Sequence, residues 1–200
     1  MNNQSKNIKK NFLTIVLYGD NMVGTTSLLR RYLYDTFDPF FFTRLTDFHS
    51  LNLDFDNGKK LKLHFWDIYH YRTYYNNIYF KKADGVMLTY DKTNRDSFLN
   101  IINHLDEIKG YIIDDIPIAL IGCKEDLYES EVITREEGEK FANDYNLIFF
   151  ETSAKLDYNV IESFNELIAR IYEKNKNIIE NNEVIHLRRK KRRPKRGCLK

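Results

Sequence analysis

Residues 12–27 read F-L-T-I-V-L-Y-G-D-N-M-V-G-T-T-S, an apolar run that leads directly into a glycine loop. The apolar run is rich in β-branched and aromatic residues, which is typical of a strand buried on both faces. The loop has the spacing G-x-x-x-x-G-[K]-[ST], whose backbone N–H groups surround phosphate groups at the start of a helix. Thr25 stands where this pattern has the lysine that contacts the β- and γ-phosphates. We therefore predict a strand, a phosphate loop and a helix, in which the loop has lost its cation.

The remaining apolar patterns predict strands that alternate with helices. After Gly24, apolar positions at helical spacing predict an amphipathic helix that ends near Tyr34. Residues 46–56 and 59–67 alternate polar and apolar around Asp56-Asn57-Gly58, which predicts an antiparallel hairpin. Further strands are predicted at 86–90, 116–121 and 147–150, and further helices, with caps at Thr93 or Asn94, Thr134 and Asp157, at 94–109, 134–145 and 158–174. The fold class is therefore α/β, with a six-stranded, mostly parallel sheet, one antiparallel edge strand and about five flanking helices.

Length and composition restrict the chain to one domain with polar tails. Its 200 residues are 42% hydrophobic, which is enough for one sizeable core. We divide the chain into a polar N-terminal extension at 1–10, the domain at 11–174 and a hypervariable polybasic tail at 175–200. Nine of the 31 lysines and arginines, and no acidic residue, lie in 188–200, so the rest of the chain is acidic.

Two features indicate a cytoplasmic protein. The two cysteines, Cys123 and Cys198, form no disulfide framework, which fits a reducing compartment. No apolar run reaches the length of a spanning helix, and residues 1–10 lack the apolar region of a signal peptide. Any membrane contact is therefore predicted to be peripheral.

Three further motifs follow predicted strands in a fixed order. Trp66-Asp67 ends the third strand, G-C-K-E-D-L occupies 122–127, and E-T-S-A-K occupies 151–155. Together with the glycine loop and Asp47-Phe48, these motifs make residues 12–174 resemble the Ras-superfamily small GTPases, closest to the Rab branch. The resemblance implies the three-layer fold of P-loop NTPases and the binding of GTP or GDP with Mg²⁺. It also implies a role in vesicular and intracellular membrane traffic, with effector proteins and an exchange factor as partners.

The resemblance assigns most of the nucleotide site to the glycine loop and to the last two motifs. Asp126 would accept two hydrogen bonds from guanine, Lys124 would lie along the base, and the N–H of Ala154 would meet the guanine oxygen. The alternative for Asp126 is that it only caps a turn. Cys123 replaces the family's asparagine. The replacement is expected to weaken or remove a side-chain link between the base loop, residues 122–127, and the phosphate loop, residues 19–26. The implied nucleotide-binding residues are Gly19, Asp20, Asn21, Met22, Val23, Gly24, Thr25, Thr26, Ser27, Thr43, Lys124, Asp126, Leu127, Ser153, Ala154 and Lys155.

The phosphate side of the site departs from the family at several positions. Each charge-assisted hydrogen bond contributes about 1.5–3 kcal/mol, so the loss of the lysine should weaken nucleotide binding about 10- to 150-fold. Met22 stands where the family usually has glycine and is expected to crowd the loop. The implied Mg²⁺ ligands are Thr26, Thr43 and Asp67, and the alternative for Thr43 is an exposed loop residue. Binding of both nucleotide and Mg²⁺ is therefore expected to be weakened.

No catalytic residue of the family is intact in the second switch. The family's D-T-A-G-Q reads Asp67-Ile68-Tyr69-His70-Tyr71, so Tyr71 occupies the position of the glutamine that orients water. The only glutamine in the chain is Gln4, so no shift in alignment supplies another. We therefore expect GTP hydrolysis to be very slow or absent. The alternative is compensation, by water-orienting side chains or by an arginine that acts in cis. The residues available for it are His70, Tyr71, Arg44 and Arg72.

Aromatic residues are concentrated in and between the two switch regions, with fourteen of them in 37–80. The resemblance implies that Phe48, Trp66 and Tyr79 form a surface that binds effector proteins. An alternative function from a different class follows from the same surface. The chain would then be a nucleotide-free pseudo-GTPase scaffold, which uses the fold and its aromatic switch surface only for protein binding.

The tail at 188–200 reads R-R-K-K-R-R-P-K-R-G-C-L-K and has three interpretations. In the first, which the resemblance favours, it binds an anionic membrane surface, and Cys198 is the lipidation candidate. Cys198 is third from the end, however, so it does not form a C-a-a-X box. The second interpretation is a nuclear localisation or nucleic-acid patch, and the third is a solubilising tail. We expect a peripheral protein on the cytosolic face of an endomembrane or the plasma membrane, with a nuclear location as runner-up and nucleic acid an improbable partner.

Overall fold

One mixed sheet forms the centre of the computed structural model, which describes residues 12–41, 46–54, 60–68, 78–112 and 115–179. Its strands are β1 (Phe12–Gly19), β2 (Asp47–Asp54), β3 (Lys60–Asp67), β4 (Gly85–Asp91), β5 (Ile118–Cys123) and β6 (Ile148–Thr152). Their order is β2-β3-β1-β4-β5-β6, and of these neighbouring pairs only β2 and β3 are antiparallel. The predicted α/β class with one antiparallel edge strand is therefore confirmed.

Five α-helices flank the sheet in the described part of the chain. They are α1 (Thr25–Tyr34), α2 (Arg95–Leu99), α3 (Ile101–Tyr111), α4 (Arg135–Asp144) and α5 (Val160–Ile179), and a 3-10 helix covers Glu125–Ser130. The single helix predicted at 94–109 is divided into α2 and α3 at Asn100, although the Asn100 N–H still donates to the Asp96 carbonyl at 2.9 Å. Helix α5 continues five residues past the end predicted at 174. None of the helices described is long and apolar enough to cross a membrane.

Two of the three predicted helix caps are confirmed. The Asn94 side chain accepts hydrogen bonds from the N–H groups of Asp96 and Ser97 at the start of α2. Thr134 forms a reciprocal capping box with Glu137 at the start of α4. The prediction for Asp157 is wrong, because α5 begins three residues later and Asp157 lies in the preceding turn with φ of 56°.

The core lies in two layers, one on each face of the sheet. Alternate residues of a strand point to opposite faces, so Leu17 of β1 packs with α1 and α5, whereas Val16 packs with α3 and α4. Strand β1 is central, with β3 on one side and β4 on the other. In such sheets ligands bind beyond the carboxyl ends of the parallel strands, at the point where the strand order reverses. The glycine loop begins at this point, directly after β1.

Candidate functional site

The phosphate loop has the backbone conformation that its glycines permit. A Cβ atom on Gly19 would lie 2.4 Å from the carbonyl oxygen of Thr89, so only glycine fits where β1 approaches β4. Gly24 has φ of 113° and Met22 has φ of 68°, a left-handed conformation that costs a non-glycine residue about 1–2 kcal/mol. The Met22 side chain is 73% exposed. Met22 thus adds a backbone cost to the loop, and since its side chain lines the cavity, the expectation that it crowds an approaching ligand stays a prediction.

Thr25 forms a hydrogen bond with the sheet in the position of the missing lysine. Its hydroxyl oxygen lies 2.7 Å from that of Thr89 in β4, and the Thr89 hydroxyl also lies 3.2 Å from the Tyr18 carbonyl oxygen, to which it donates. This pair of hydroxyls carries no charge. The loop therefore keeps its shape and its backbone donors but offers no side-chain cation to a phosphate.

Two of the three predicted metal ligands meet beside the loop. The Thr26 hydroxyl donates to a carboxylate oxygen of Asp67 at 2.6 Å, which brings the start of α1 to the end of β3. Burial raises the pKa of Asp67 to about 6, against the opposing effect of the hydrogen bond from Thr26. Both groups are hard oxygen donors, and Mg²⁺ binds through few protein oxygens together with water and phosphate. The pair therefore fits Mg²⁺.

The guanine side contains an ordered carboxylate. The Ser153 hydroxyl donates to one oxygen of Asp126 at 2.6 Å, and the Lys155 ammonium lies 3.5 Å from the other. The Lys124 ammonium pairs with Asp91 at 2.6 Å. These side chains come from the segments after β4, β5 and β6, which are neighbours in the sheet. Asp126 is therefore held by two other side chains, which fits the role in guanine binding that the resemblance implies for it.

Helix α1 supports the loop that carries Ala154. The Arg31 guanidinium donates to the Ala154 carbonyl at 2.7 Å and also pairs with Asp35 at 2.9 Å. The hydrogen bond from Arg31 thus fixes the Ala154 carbonyl. Ala154 itself lines a cavity between the phosphate loop and the base loop. This contact joins the phosphate side of the site to the guanine side.

One cavity of about 510 Å³ joins the two sides. Its lining includes the predicted residues Gly19, Asp20, Asn21, Met22, Gly24, Thr25, Thr26, Ser27, Asp67, Lys124, Asp126, Leu127, Ala154 and Lys155. The predicted residues Val23 and Ser153 are buried and support it. The lining also includes Phe37, Pro39, Phe41 and Ile68, which the sequence analysis did not assign to a ligand. The signal that was overlooked is the group of aromatic residues that follows α1, where Phe41 lies 3.8 Å from the Arg30 guanidinium.

Cys123 contacts the phosphate loop by packing. A Cβ atom on Gly24 would lie 3.4 Å from the Cys123 Cβ and 3.8 Å from its sulfur. Burial raises the pKa of the Cys123 thiol to about 12. The base loop and the phosphate loop therefore touch at this position, but a thiol cannot provide the several hydrogen bonds of an asparagine amide.

The predicted effector residues form a continuous aromatic row. The ring centroids of Phe48 and Trp66 are 4.7 Å apart, and those of Trp66 and Tyr79 are 4.8 Å apart. The row extends through His64, 5.2 Å from Phe48, to Phe12, which stacks on His64 at 4.6 Å. Several predicted features lie outside the described residues, namely the hairpin turn at 56–58, Thr43, Arg44, His70, Tyr71, Arg72, Cys198, the extension at 1–10 and the tail at 188–200.

The mixed sheet, the phosphate loop after β1 and the loop after β5 that carries Asp126 together define the fold of a P-loop nucleotide-binding protein. The model of the Ras family matches residues 14–173. Among curated proteins, the Ras-related protein Rab-8 of Diplobatis ommata is 39% identical over 172 residues, which cover 84% of this chain and 81% of Rab-8. The Ras-related protein Rab-10 of Caenorhabditis elegans is 36% identical over 163 residues, with 80% and 81% covered, and the Ras-related protein SEC4 of Saccharomyces cerevisiae is 36% identical over 177 residues, with 86% and 79% covered. The chain therefore belongs to the Ras family, on its Rab-like branch. Rab-like proteins bind GTP and GDP with Mg²⁺ and serve vesicular membrane traffic.

Proposed function

We propose that this protein is an atypical Rab-like guanine-nucleotide-binding protein of intracellular membrane traffic that hydrolyses GTP slowly or not at all. The observation that carries the proposal is the contrast between the two ends of the cavity. Asp126 is positioned for guanine by Ser153 and Lys155, whereas Thr25 offers the phosphates only a hydroxyl that already bonds Thr89. Selection of the base is retained, and the charge that senses the phosphates is absent.

Each part of the chain has a definite role in nucleotide binding. Backbone N–H groups of the phosphate loop donate to the phosphates, and Asp126 accepts hydrogen bonds from the guanine base. Phe37 and Phe41 line the cavity, so they bury apolar surface of the bound nucleoside. Thr26 and Asp67 would hold Mg²⁺, which neutralises phosphate charge when bound. Both nucleotide and metal are expected to bind more weakly than in relatives that have the lysine.

The slow step is hydrolysis, because the residue that orients the attacking water is missing. Tyr71 stands at the glutamine position, and Gln4 is the only glutamine in the sequence. A phenol presents one hydroxyl, whereas a glutamine amide presents both a donor and an acceptor to water. Glutamine and an arginine supplied by a partner together contribute about 10³–10⁵ in rate. Loss of the glutamine therefore leaves the protein in its triphosphate form until nucleotide exchange releases it.

The aromatic row supports effector binding, and the basic tail supports membrane contact. Phe48 is 43% exposed and packs on Trp66, so an apolar ring is presented to a partner at the sheet edge. The nine basic residues at 188–200 would attract an anionic leaflet, with about 1 kcal/mol for each group near the surface. Lipidation of Cys198 would add to that attraction. The protein would then act at the cytosolic face of a membrane.

Nucleotide titration tests the main proposal. We expect a fluorescent GDP analogue to bind in the micromolar range or tighter with Mg²⁺ present, to be displaced by GDP and not by ADP, and to bind more weakly with a chelator. Single-turnover hydrolysis of GTP should be near the uncatalysed rate. Absence of binding at millimolar nucleotide would reject the proposal, and ordinary hydrolysis would reject the claim of a defective site.

A nucleotide-free scaffold is the second candidate, favoured by the uncharged Thr25 and by the partly exposed aromatic row, in which Phe48 is 43% exposed. The same titration separates it from the first, because a scaffold binds neither GDP nor GTP.

Pelleting with phosphatidylserine vesicles tests whether the basic tail binds a membrane. Deletion of 188–200 should abolish pelleting, Cys198→Ser should isolate any lipid contribution, and unchanged pelleting of the deletion variant would reject membrane binding through the tail.

A further inference from the structure

A buried lysine lies behind the guanine side of the site. Lys92 follows β4, is 2% exposed, and its ammonium group forms ion pairs with Glu125, with Glu151 at 2.7 Å and with Glu131 at 3.4 Å. These carboxylates come from the segments after β5, at the end of β6 and before α4. One side chain thus connects two segments that are remote from it in sequence, the connection between β5 and α4 and the end of β6.

Both segments carry residues that the proposed function assigns to the base. Glu125 lies between Lys124 and Asp126, and Glu151 lies two residues before Ser153, which donates to Asp126. The backbone of Lys92 adds to the connection, since its N–H donates to the Cys123 carbonyl at 3.1 Å. Lys92 therefore fixes the positions of the base loop and the E-T-S-A-K segment relative to each other, although it does not line the cavity itself.

The charges of this cluster make the lysine necessary. Glu151 is only 3% exposed, and its remaining cation is Arg135 at 3.4 Å. Burial lowers the pKa of Lys92, but its pairing with Glu125 and Glu151 raises that pKa by more, so the ammonium form is retained. Without Lys92, the buried Glu151 carboxylate would keep only Arg135 beside it and would face Glu125 with no cation between them, which disfavours the close approach of the two segments.

Packing at Cys123 does not replace this connection. The base loop approaches the phosphate loop there by packing, since a Cβ atom on Gly24 would lie 3.4 Å from the Cys123 Cβ. We propose that Lys92 is a positioning residue for guanine selection, which places Asp126 by pairing with Glu125 and Glu151. This inference rests on the proposed binding of guanine nucleotides and adds a residue that does not touch the ligand.

The test is the preference for GDP over IDP, which lacks the exocyclic amine that Asp126 would accept from. One charge-assisted hydrogen bond predicts a preference of about 10- to 150-fold in the unaltered protein. Lys92→Met should reduce that preference toward unity, because a displaced Asp126 bonds neither base well. Competition by inorganic pyrophosphate, which probes the phosphate loop alone, should not change. A variant that is only less stable would weaken all three ligands together and keep the preference.

Three further variants complete the design. Lys92→Arg keeps the charge and should restore most of the preference. Glu125→Gln, at a side chain that is 30% exposed, should reduce the preference even if Lys92→Met fails to fold. Lys174→Met is the matched control, because it removes a surface ion pair with Asp115 far from the base and should change nothing. An unaltered preference in both Lys92→Met and Glu125→Gln would overturn the inference. Failure of the unaltered protein to bind GDP would instead overturn the proposed function, and the inference with it.

Discussion

Restoring the cation of the phosphate loop is the most direct perturbation of this site. In the variant Thr25→Lys, an ammonium group would reach the β- and γ-phosphates from the first residue of α1. A charge-assisted hydrogen bond contributes about 1.5–3 kcal/mol, so GDP affinity should rise about 10- to 150-fold. The substitution also removes the 2.7 Å hydrogen bond between Thr25 and Thr89, which costs the free protein about 0.5–1.5 kcal/mol of stability.

The assay measures affinity and hydrolysis on the same samples. Titration with a fluorescent GDP analogue gives the affinity, and single-turnover release of phosphate from GTP gives the chemical rate. We expect affinity to rise and the rate to stay unchanged, because Tyr71 still occupies the position of the water-orienting glutamine. Thr25→Met is the matched control, since methionine is similar in length to lysine but carries no charge.

Two results would refute this reasoning. If Thr25→Lys binds GDP no more tightly than Thr25→Met, the missing charge does not limit binding. If Thr25→Lys restores hydrolysis to ordinary family rates, the defect lies in the loop and Tyr71 or another residue performs the role of glutamine. Thermal unfolding of both variants without nucleotide separates either result from a loss of folded protein.

Three further predictions follow from the described contacts. Gly19→Ala should lower both GDP affinity and the free energy of unfolding, by about 1–3 kcal/mol in urea denaturation, because its Cβ would lie 2.4 Å from the Thr89 carbonyl oxygen; unchanged stability would contradict that contact. Thr134→Ala should cost about 1 kcal/mol by the loss of the α4 capping box, with Lys140→Ala, at an exposed position later in the same helix, as a control for general loss of helix stability, and an equal effect of both would speak against the cap. In a Cys198→Ser background, the Cys123 thiol should resist an aromatic disulfide reagent at pH 8 until the protein is unfolded, because its pKa is raised to about 12 from 9.0. Because the pKa is raised in the folded protein, the thiol of the unfolded chain deprotonates first, so the free energy of unfolding should fall as pH rises from about 9 to 12. Rapid labelling of the native protein would instead show that the thiol is exposed.

The sheet could be predicted because its strands are short, apolar and directly followed by recognisable loops. Strand β1 is buried from Leu13 onward, which is what an unbroken apolar run indicates. Asn94 and Thr134 were predictable caps, because a capping side chain needs only local geometry. The end of α5 was placed too early, since two of the residues at 175–177 are asparagines, which are weak helix formers, whereas in the structure Asn175 bonds back to the Ile171 carbonyl at 2.8 Å and the helix continues.

The parts of the site that were missed depend on long-range placement. Phe37 and Phe41 read as loop aromatics, and only the path of the chain after α1 brings them to the cavity. Lys92 carries no motif, and its partners Glu125 and Glu151 are 33 and 59 residues away in sequence. They meet because β4, β5 and β6 are adjacent and parallel, so their carboxyl ends lie side by side. The spacing of these three residues along the chain therefore did not predict that their side chains would meet.

Base selection and phosphate sensing are separable in this fold because they are built on different strands. In the proposed site, the base would be met by segments after β5 and β6, which Lys92 connects, and the phosphates by the loop after β1 and by Asp67 of β3. We expect a substitution at Thr25 to act first on phosphate binding, because the hydrogen bond described for its side chain is with Thr89 of β4, whereas α1 reaches the Ala154 loop only six residues later, through Arg31. The lost cation would have contacted the β- and γ-phosphates. Its absence therefore reduces the difference in binding free energy between a nucleoside triphosphate and a monophosphate. We therefore expect nucleotide choice in this protein to follow the base more strongly than the number of phosphates.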